Sequence, residues 1–450
     1  MKVAKFGGTS LASAEQIKKV CNIILSDKER KIMVVSAPGK RNKEDIKVTD
    51  LLINLANTYI EKREADSELE MVVERYRDIA EGLGLSDDIV RVVREDLEDR
   101  LVQYNGDKDK FLDLLKAAGE DNSAKVVAEY LKSLGHEAIY MSPKDAGMLL
   151  SDEYGNARVL SETYELLKKL KKIDAIIVFP GFFGYSKTGD VVTFSRGGSD
   201  ITGSIIAAAV DAEMYENFTD VDSVYVANPN IVENPVGISV ITYREMRELS
   251  YAGFSVLHEE TLEPVYRKGI PVCIKNTNNP QAEGTMIVTD REQSERPVVG
   301  IAGDRGFGSV YIRKYMMNRE IGFGRTVLSI LEDEKIPYEH IPSGIDEMSV
   351  IFRSKLLSKE KEEKILKRIR KELHVDHVEI ERDQALVMVV GEGMKKTVGL
   401  AVRATGALSR NGINIQMINQ GSSEVSLMFG IDADNTERAV RALYYEFFGV

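Results

Sequence analysis

The sequence predicts an α/β protein with a mostly parallel sheet sandwiched by helices, followed by two copies of a smaller βαββαβ module. Three observations carry this. Short β-branched or apolar segments alternate with helical ones, and the turn after each strand holds glycines, hydroxyls or charges. The stretch from Val191 to Val210 condenses that pattern into strand, glycine turn and apolar helix. The last third of the chain repeats itself at an offset of 77 residues.

In the central stretch, Val191-Val-Thr-Phe194 reads as the end of a buried strand, and Ile201 to Val210 as a helix. Between them lies Arg196-Gly197-Gly198-Ser199-Asp200. Two glycines let the backbone approach a ligand, and the amides that open the helix face an incoming anion. An arginine beside them offers a planar fork for a carboxylate or phosphate. Asp200 is either a helix cap or part of the site.

Taken in order, Lys2 to Phe6 is a strand, Gly7-Gly8-Thr9-Ser10 a turn, and Ala14 to Ser26 a helix. The turn lacks Walker-loop spacing, but it sets Lys5 beside flexible backbone and two hydroxyls, as a phosphate contact or a plain edge-strand lysine. Lys31 to Ser36 is the next strand, and Thr49 stands where a helix starts. Charge-rich helical sequence runs from about Leu51 to Ala118, broken at residues 82–84 and 105–106, with exposed faces expected. Ala118-Gly119-Glu120 precedes a helix over 123–134, where a glutamate is ordinarily a solvated first-turn residue. A strand over 137–141, a helix over 161–172 and an apolar strand over 175–179 follow, with a short strand at 156–161. Beyond the central stretch come a strand over 212–218, helices over 243–251 and 257–268, and a last strand over 271–274.

Composition bounds the function. The 450 residues carry a formal charge of −12, which leaves no basic surplus for nucleic acid or an acidic membrane. Cys21 and Cys273 lie far apart without metal or redox spacing, five histidines show no zinc pattern, and no metal site is expected. No apolar run reaches membrane-spanning length, and no signal-peptide core follows Met1, so the chain reads as cytoplasmic.

Lys5-Phe6-Gly7-Gly8-Thr9-Ser10, Gly119-Glu120, Phe194 to Ser204, Thr219 to Tyr225 and Lys275 to Pro280 together resemble the aspartate kinases of the amino-acid kinase fold. The resemblance implies transfer of the γ-phosphoryl group of ATP to the β-carboxylate of L-aspartate, with Mg²⁺ carried by ATP. That reaction opens lysine, threonine and methionine biosynthesis. It implies Lys5 and Asp200 as the catalytic pair, Asp200 orienting Lys5 rather than removing a proton. Ser36, Thr49, Glu120, Arg196, Gly197, Gly198 and Ser199 become the aspartate set, with Glu120 on the ammonium and Arg196 on the α-carboxylate. Lys5, Phe6, Gly7, Gly8, Thr9, Thr219, Asp220, Tyr225, Asn278 and Asn279 become ATP contacts. Ser223, Asn228 and Asn230 depart from the family pattern; Asn230 replaces an arginine, and no nucleotide contact is assigned to it.

In the repeat, Gly322/Gly399, Leu331/Leu408, Ile336/Ile413 and Phe352/Phe429 coincide without a gap. Each copy reads strand, helix, strand, strand and charged helix, and resembles the ACT modules that follow monofunctional aspartate kinases. The expected domains are 1–297 for catalysis, 298–383 for one module and 384–450 for the other, the latter completed by 298–308. The resemblance implies feedback inhibition in a homodimer or homotetramer, with lysine as effector and threonine as the alternative. Met317, Gly322, Phe323, Gly324 and Glu339 are the expected effector positions. The rival functions are another amino-acid kinase, acting on a different acceptor, and a catalytically silent sensor.

Overall fold

The computed structural model describes residues 1–449 except 196, 255, 256, 258, 293–295 and 422. It divides into two units, one formed by Met1–Val224, Gly237–Arg244 and Ser255–Arg291, the other by Tyr225–Val236, Glu245–Phe254 and Glu292–Val450. Tyr225–Val236, Glu245–Phe254 and the end of the expected catalytic span from Glu292 therefore belong to the second unit.

The first unit is built on an eight-stranded sheet. Its strands are β1 (Lys2–Phe6), β2 (Arg30–Val35), β3 (Ala138–Tyr140), β4 (Ile176–Pro180), β7 (Met214–Thr219), β8 (Val240–Thr242), β9 (Val272–Asn276) and β10 (Thr285–Val288), while β5 (Phe183–Tyr185) and β6 (Val191–Thr193) form a separate hairpin. The order is β8-β10-β9-β7-β1-β2-β4-β3, parallel throughout except where β9 meets β10. The strand at 272–276 is thus not the last: β10 turns back beside it.

Five helices share one core with the sheet: α1 (Ala14–Leu25), α2 (Val48–Lys62), α3 (Asp66–Leu83), α4 (Asp87–Leu101) and α5 (Lys108–Ser133). Ala4 and Phe6 point into that core, so Lys5, one residue out of phase on β1, faces the other side of the sheet. There it meets α7 (Gly198–Ala209), which follows α6 (Ser161–Leu167) and precedes α8 (Glu263–Lys268). The charge-rich region over 51–118 shows the exposed faces expected of it, and its other faces enter the core. Leu69, Val72, Val73, Tyr76, Val93 and Leu97 bury one face of α3 and α4, and the charges line the other.

Helix α5 corrects the break expected at Ala118-Gly119. It runs unbroken for 26 residues from an Asp107 cap that accepts the Lys110 amide at 3.1 Å. A mid-helix glycine costs roughly 1 kcal/mol against alanine. A Cβ on Gly119, however, would stand 2.8 Å from the Cβ of Ala37. Close packing against the segment after β2 decides the outcome. The strand expected at 156–161 reduces to a single bridge between Leu150 and Val159, and the helix from Ser161 tightens to a 3₁₀ turn after Leu167.

The second unit carries a five-stranded antiparallel sheet of β11 (Gly300–Arg313), β12 (Glu347–Arg353), β13 (His377–Val390), β14 (Met417–Asn419) and β15 (Ser426–Asp432), ordered β12-β11-β13-β15-β14. Its helices are α9 (Phe323–Asp333), α10 (Lys359–Leu373), α11 (Leu400–Arg410) and α12 (Thr436–Phe447), and α9 and α11 keep the offset of the repeat. β11 and β13 are each 14 residues long and serve both copies. Gly300–Arg305 pairs with Ala385–Val390, and Ser309–Arg313 with His377–Glu381. The boundary expected at 383/384 falls inside β13. One strand of the first copy shrinks to two bridges, His340 to Ile351 and Ser343 to Met348. Among the described residues, no helix is long and apolar enough to cross a membrane.

Candidate active site

Because the central strands are parallel, their carboxyl ends share one edge of the sheet. The register pairs Phe6 with Phe218 and Val35, Val35 with Pro180, and Thr219 with Asn276. Open parallel sheets bind ligands at such an edge. The turns after β1, β2, β4, β7 and β9 leave their strands there, while the turn at 196–200 follows the separate β5–β6 hairpin.

Lys5 is 7% exposed, and its ammonium contacts the Asp200 carboxylate in the first turn of α7. Asn217, the cross-strand partner of Lys5, donates from Nδ2 to Asp200 Oδ1 at 2.8 Å. The carboxylate is thereby held between a lysine and an amide from adjacent strands. The sequence reading missed Asn217, a buried asparagine beside the equally buried Glu216 on β7.

The turn after β1 meets the segment after β2 backbone to backbone. Gly39 N–H donates to Gly8 O at 2.8 Å, and a Cβ on Gly39 would stand 2.6 Å from the Gly8 carbonyl carbon. Phe6 stacks on Phe218 in the core, so only its backbone is open to a ligand. Thr9 is exposed, whereas Ser10 is buried and bonds Thr277 Oγ1 at 2.7 Å.

Glu120 sits in the middle of α5, not in a solvated first turn, and is 5% exposed. Its Oε2 has no hydrogen-bond partner among the described residues. Burial pushes its carboxyl up to about 8, against the opposing pull of the Ala37 backbone hydrogen bond. Among the described residues no cation pairs with this carboxylate, which leaves it able to receive one.

Ser36 closes β2 and Thr49 lies in the first turn of α2, both half-buried. Gly197 takes φ 76° to open α7, Gly198 packs on Phe182, and buried Ser199 lies against Gly181. Arg196 lies outside the described residues. Thr219 and Thr277 join through a 2.9 Å backbone bond, and Asp220 accepts from the Thr219 hydroxyl at 3.2 Å. Asp222, which the sequence reading did not select, accepts from Asn276 and Asn279 at 2.8 and 3.2 Å. Asn278 Oδ1 is turned to Gln16 and Lys19 on α1. Tyr225 belongs to the second unit.

Comparison with known proteins agrees with this geometry. The amino acid kinase family matches residues 1–276, and the ACT domain family matches 387–447. Aspartokinase 3 of Bacillus subtilis is 56% identical over 448 residues, covering 100% of this chain and 99% of that protein. The chain belongs to the aspartokinases. The crystal structure of Clostridium acetobutylicum aspartate kinase superposes with a TM-score of 0.87 at 40% identity, covering 99% of this chain and 100% of that one. Aspartokinase III of E. coli, solved with aspartate and ADP, gives 0.81 at 25% identity over 100% of both chains. The same protein solved with lysine and aspartate gives 0.75 at 26%, over 100% of this chain and 99% of that one.

For an aspartokinase, the fit of Gly181 against Ser199 is a sharp structural constraint. A Cβ on Gly181 would come within 2.7 Å of Ser199 Cβ and 2.8 Å of its Cα. Gly181→Ala is expected to displace the first turn of α7 and lower kcat/KM about ten- to a hundredfold, the scale of a misplaced binding group. A folded variant with undiminished kcat/KM refutes this.

The expected effector positions are less uniform. Met317 and Phe323 are core side chains of the first repeat copy, so any ligand contact from them is through the backbone. Gly322 opens α9 at φ 86°, with Gly324 inside the helix. Glu339 already receives the Tyr251 hydroxyl and faces Arg353 Nε at 3.4 Å.

Proposed function

We propose that this aspartokinase transfers the γ-phosphoryl group of ATP to the β-carboxylate of L-aspartate. The buried Glu120 carboxylate, whose Oε2 finds no partner among the described residues, carries the reading. Glu120 receives the aspartate ammonium, and Arg196, Ser199, Ser36 and Thr49 hold its carboxylates. The turn Gly7-Gly8-Thr9 faces the phosphates, with Thr219, Asp220, Asn278 and Asn279 as the nucleotide set. The β-carboxylate is ionised at pH 7 and needs no general base. The work left to the protein is alignment and charge stabilisation, and Lys5, oriented by Asp200 and Asn217, supplies the cation. Mg²⁺ enters with ATP as part of the substrate. The aspartate- and ADP-bound structure of the E. coli relative supports the assignment.

The test is ATP turnover with aspartate, glutamate or UMP as acceptor. Aspartate-dependent ADP release is expected. Turnover only with another acceptor would assign the chain to a different amino-acid kinase activity, and no turnover would make it a sensor.

Feedback inhibition by lysine through the ACT repeat, in a homo-oligomer, completes the proposal, supported by the lysine-bound E. coli structure. Glu339 is the expected ammonium receptor, and the effector would compete with Tyr251 for it. Glu339→Ala should raise the half-inhibitory lysine concentration by about tenfold, within the usual range of allosteric coupling, while uninhibited turnover is kept. Unchanged lysine sensitivity, with threonine inactive as well, would remove Glu339 from the effector site.

A further inference from the structure

Segment 38–48, between Ser36 and Thr49, is a ring of chain closed at its neck. Val48 N–H donates to Pro38 O at 3.1 Å, and the polar residues between them run through solvent. One side chain from outside fills the ring. Arg75 on α3 is 5% exposed, and its guanidinium donates to Gly39 O at 2.9 Å, Ile46 O at 2.8 Å and Asp45 Oδ2 at 3.0 Å. Those acceptors lie on both limbs of the ring. A second arginine belongs to the ring itself: Arg41 binds Asp45 at 3.0 Å and Asp78 of α3 at 2.9 Å.

The neighbour of Arg75 acts on the other wall of the same site. Tyr76 is 1% exposed, and its hydroxyl donates to Gly119 O at 2.7 Å, the carbonyl before Glu120. Helix α3 thus anchors, through two consecutive residues, the chain carrying Ser36 and Thr49 and the helix carrying Glu120. Nothing in this arrangement touches the reacting atoms. Its effect is to hold three groups from distant parts of the sequence at fixed separations.

We propose that Arg75 is a positioning residue for the acceptor substrate: by filling the 38–48 ring it sets Ser36 and Thr49 against Glu120, and so governs aspartate binding more than ATP binding. This rests on the assignment of Ser36, Thr49 and Glu120 to aspartate. The planar fork matters as well as the charge, because three acceptors on two limbs are reached from one guanidinium, whereas an ammonium is a single point. With the fork removed, the polar ring keeps its neck, the Gly39 bond to Gly8 and the Arg41 contacts, and becomes a locally opening loop.

The test compares Arg75→Met, Arg75→Lys and Asp45→Ala with the parent, with Ser36→Ala and Thr49→Val measured alongside. In Arg75→Met the KM for aspartate should rise at least about tenfold, while the KM for ATP stays within about threefold, the split expected when one substrate's contacts lose pre-organisation. Arg75→Lys and Asp45→Ala should give smaller rises of the same kind. Trypsin should cut faster at Lys40, Arg41 or Lys43 in Arg75→Met, and aspartate should protect. An unchanged aspartate KM in folded Arg75→Met, or equal rises in both KM values, overturns the proposal. Should Arg75→Met not fold, an unchanged aspartate KM in both milder variants overturns it. If Ser36→Ala and Thr49→Val leave the aspartate KM unaltered, the underlying assignment fails instead.

Discussion

Lys5→Ala is expected to lower kcat more than about a hundredfold, the loss typical when one donor aimed at developing transition-state charge is removed. Lys5 supplies a buried cation on the ligand edge of the sheet, and its strand neighbours leave no substitute at that position. The variant should fold, because Asp200 keeps its 2.8 Å bond from Asn217 and Lys5 lies outside the apolar core. The measurement is ADP release at saturating ATP and aspartate, with circular dichroism to establish folding. Near-normal turnover in a folded protein would remove Lys5 from the chemistry.

The second large effect concerns Glu120. Its carboxyl titrates near 8 in the free protein because burial disfavours the charge, so most molecules at pH 7 carry a proton there. Binding an ammonium requires the ionised form. The apparent affinity for aspartate should therefore strengthen as pH rises from 6 toward 8, by up to about tenfold per unit, with one proton released per aspartate bound. Glu120→Gln should weaken aspartate binding by about a hundredfold or more, as for a charged hydrogen-bond partner lost from a buried site, and should flatten the pH profile. The stability linkage runs the opposite way. The folded free protein binds more protons than the unfolded chain between the ordinary carboxyl value of 4.5 and about 8, so this group's contribution to stability is lost as pH rises through that window. A calorimetric titration shows the proton release directly, and an aspartate affinity independent of pH from 6 to 8 would sink the assignment.

Much of the candidate site was legible because its parts are short local patterns. Strand, glycine turn and helix recur at Lys5-Phe6-Gly7-Gly8 and at Phe194 to Asp200, and each pattern needs only its own neighbours to form. Glu120 was legible only through the family resemblance. Its local surroundings suggest a solvated first-turn acid, and the opposite proved true because Ala37 and α3 close over the middle of α5. Asn217 carried a weak signal, and Arg75 carried none, since an arginine in a charge-rich helix reads as solvated.

The sequence by itself determined the alternation of strands and helices, the glycine turns at the strand ends and the repeated tail. These follow from hydrophobic period, turn chemistry and internal identity, all of which act over a few residues or by simple copying. Only the tertiary structure decided that α5 runs through Gly119, that β11 and β13 each serve both copies of the repeat, and that Arg75 and Asn217 are buried at their posts. The physical reason is range. Whether a polar side chain is buried, and what it must then bond to, depends on chain segments brought together from far along the sequence.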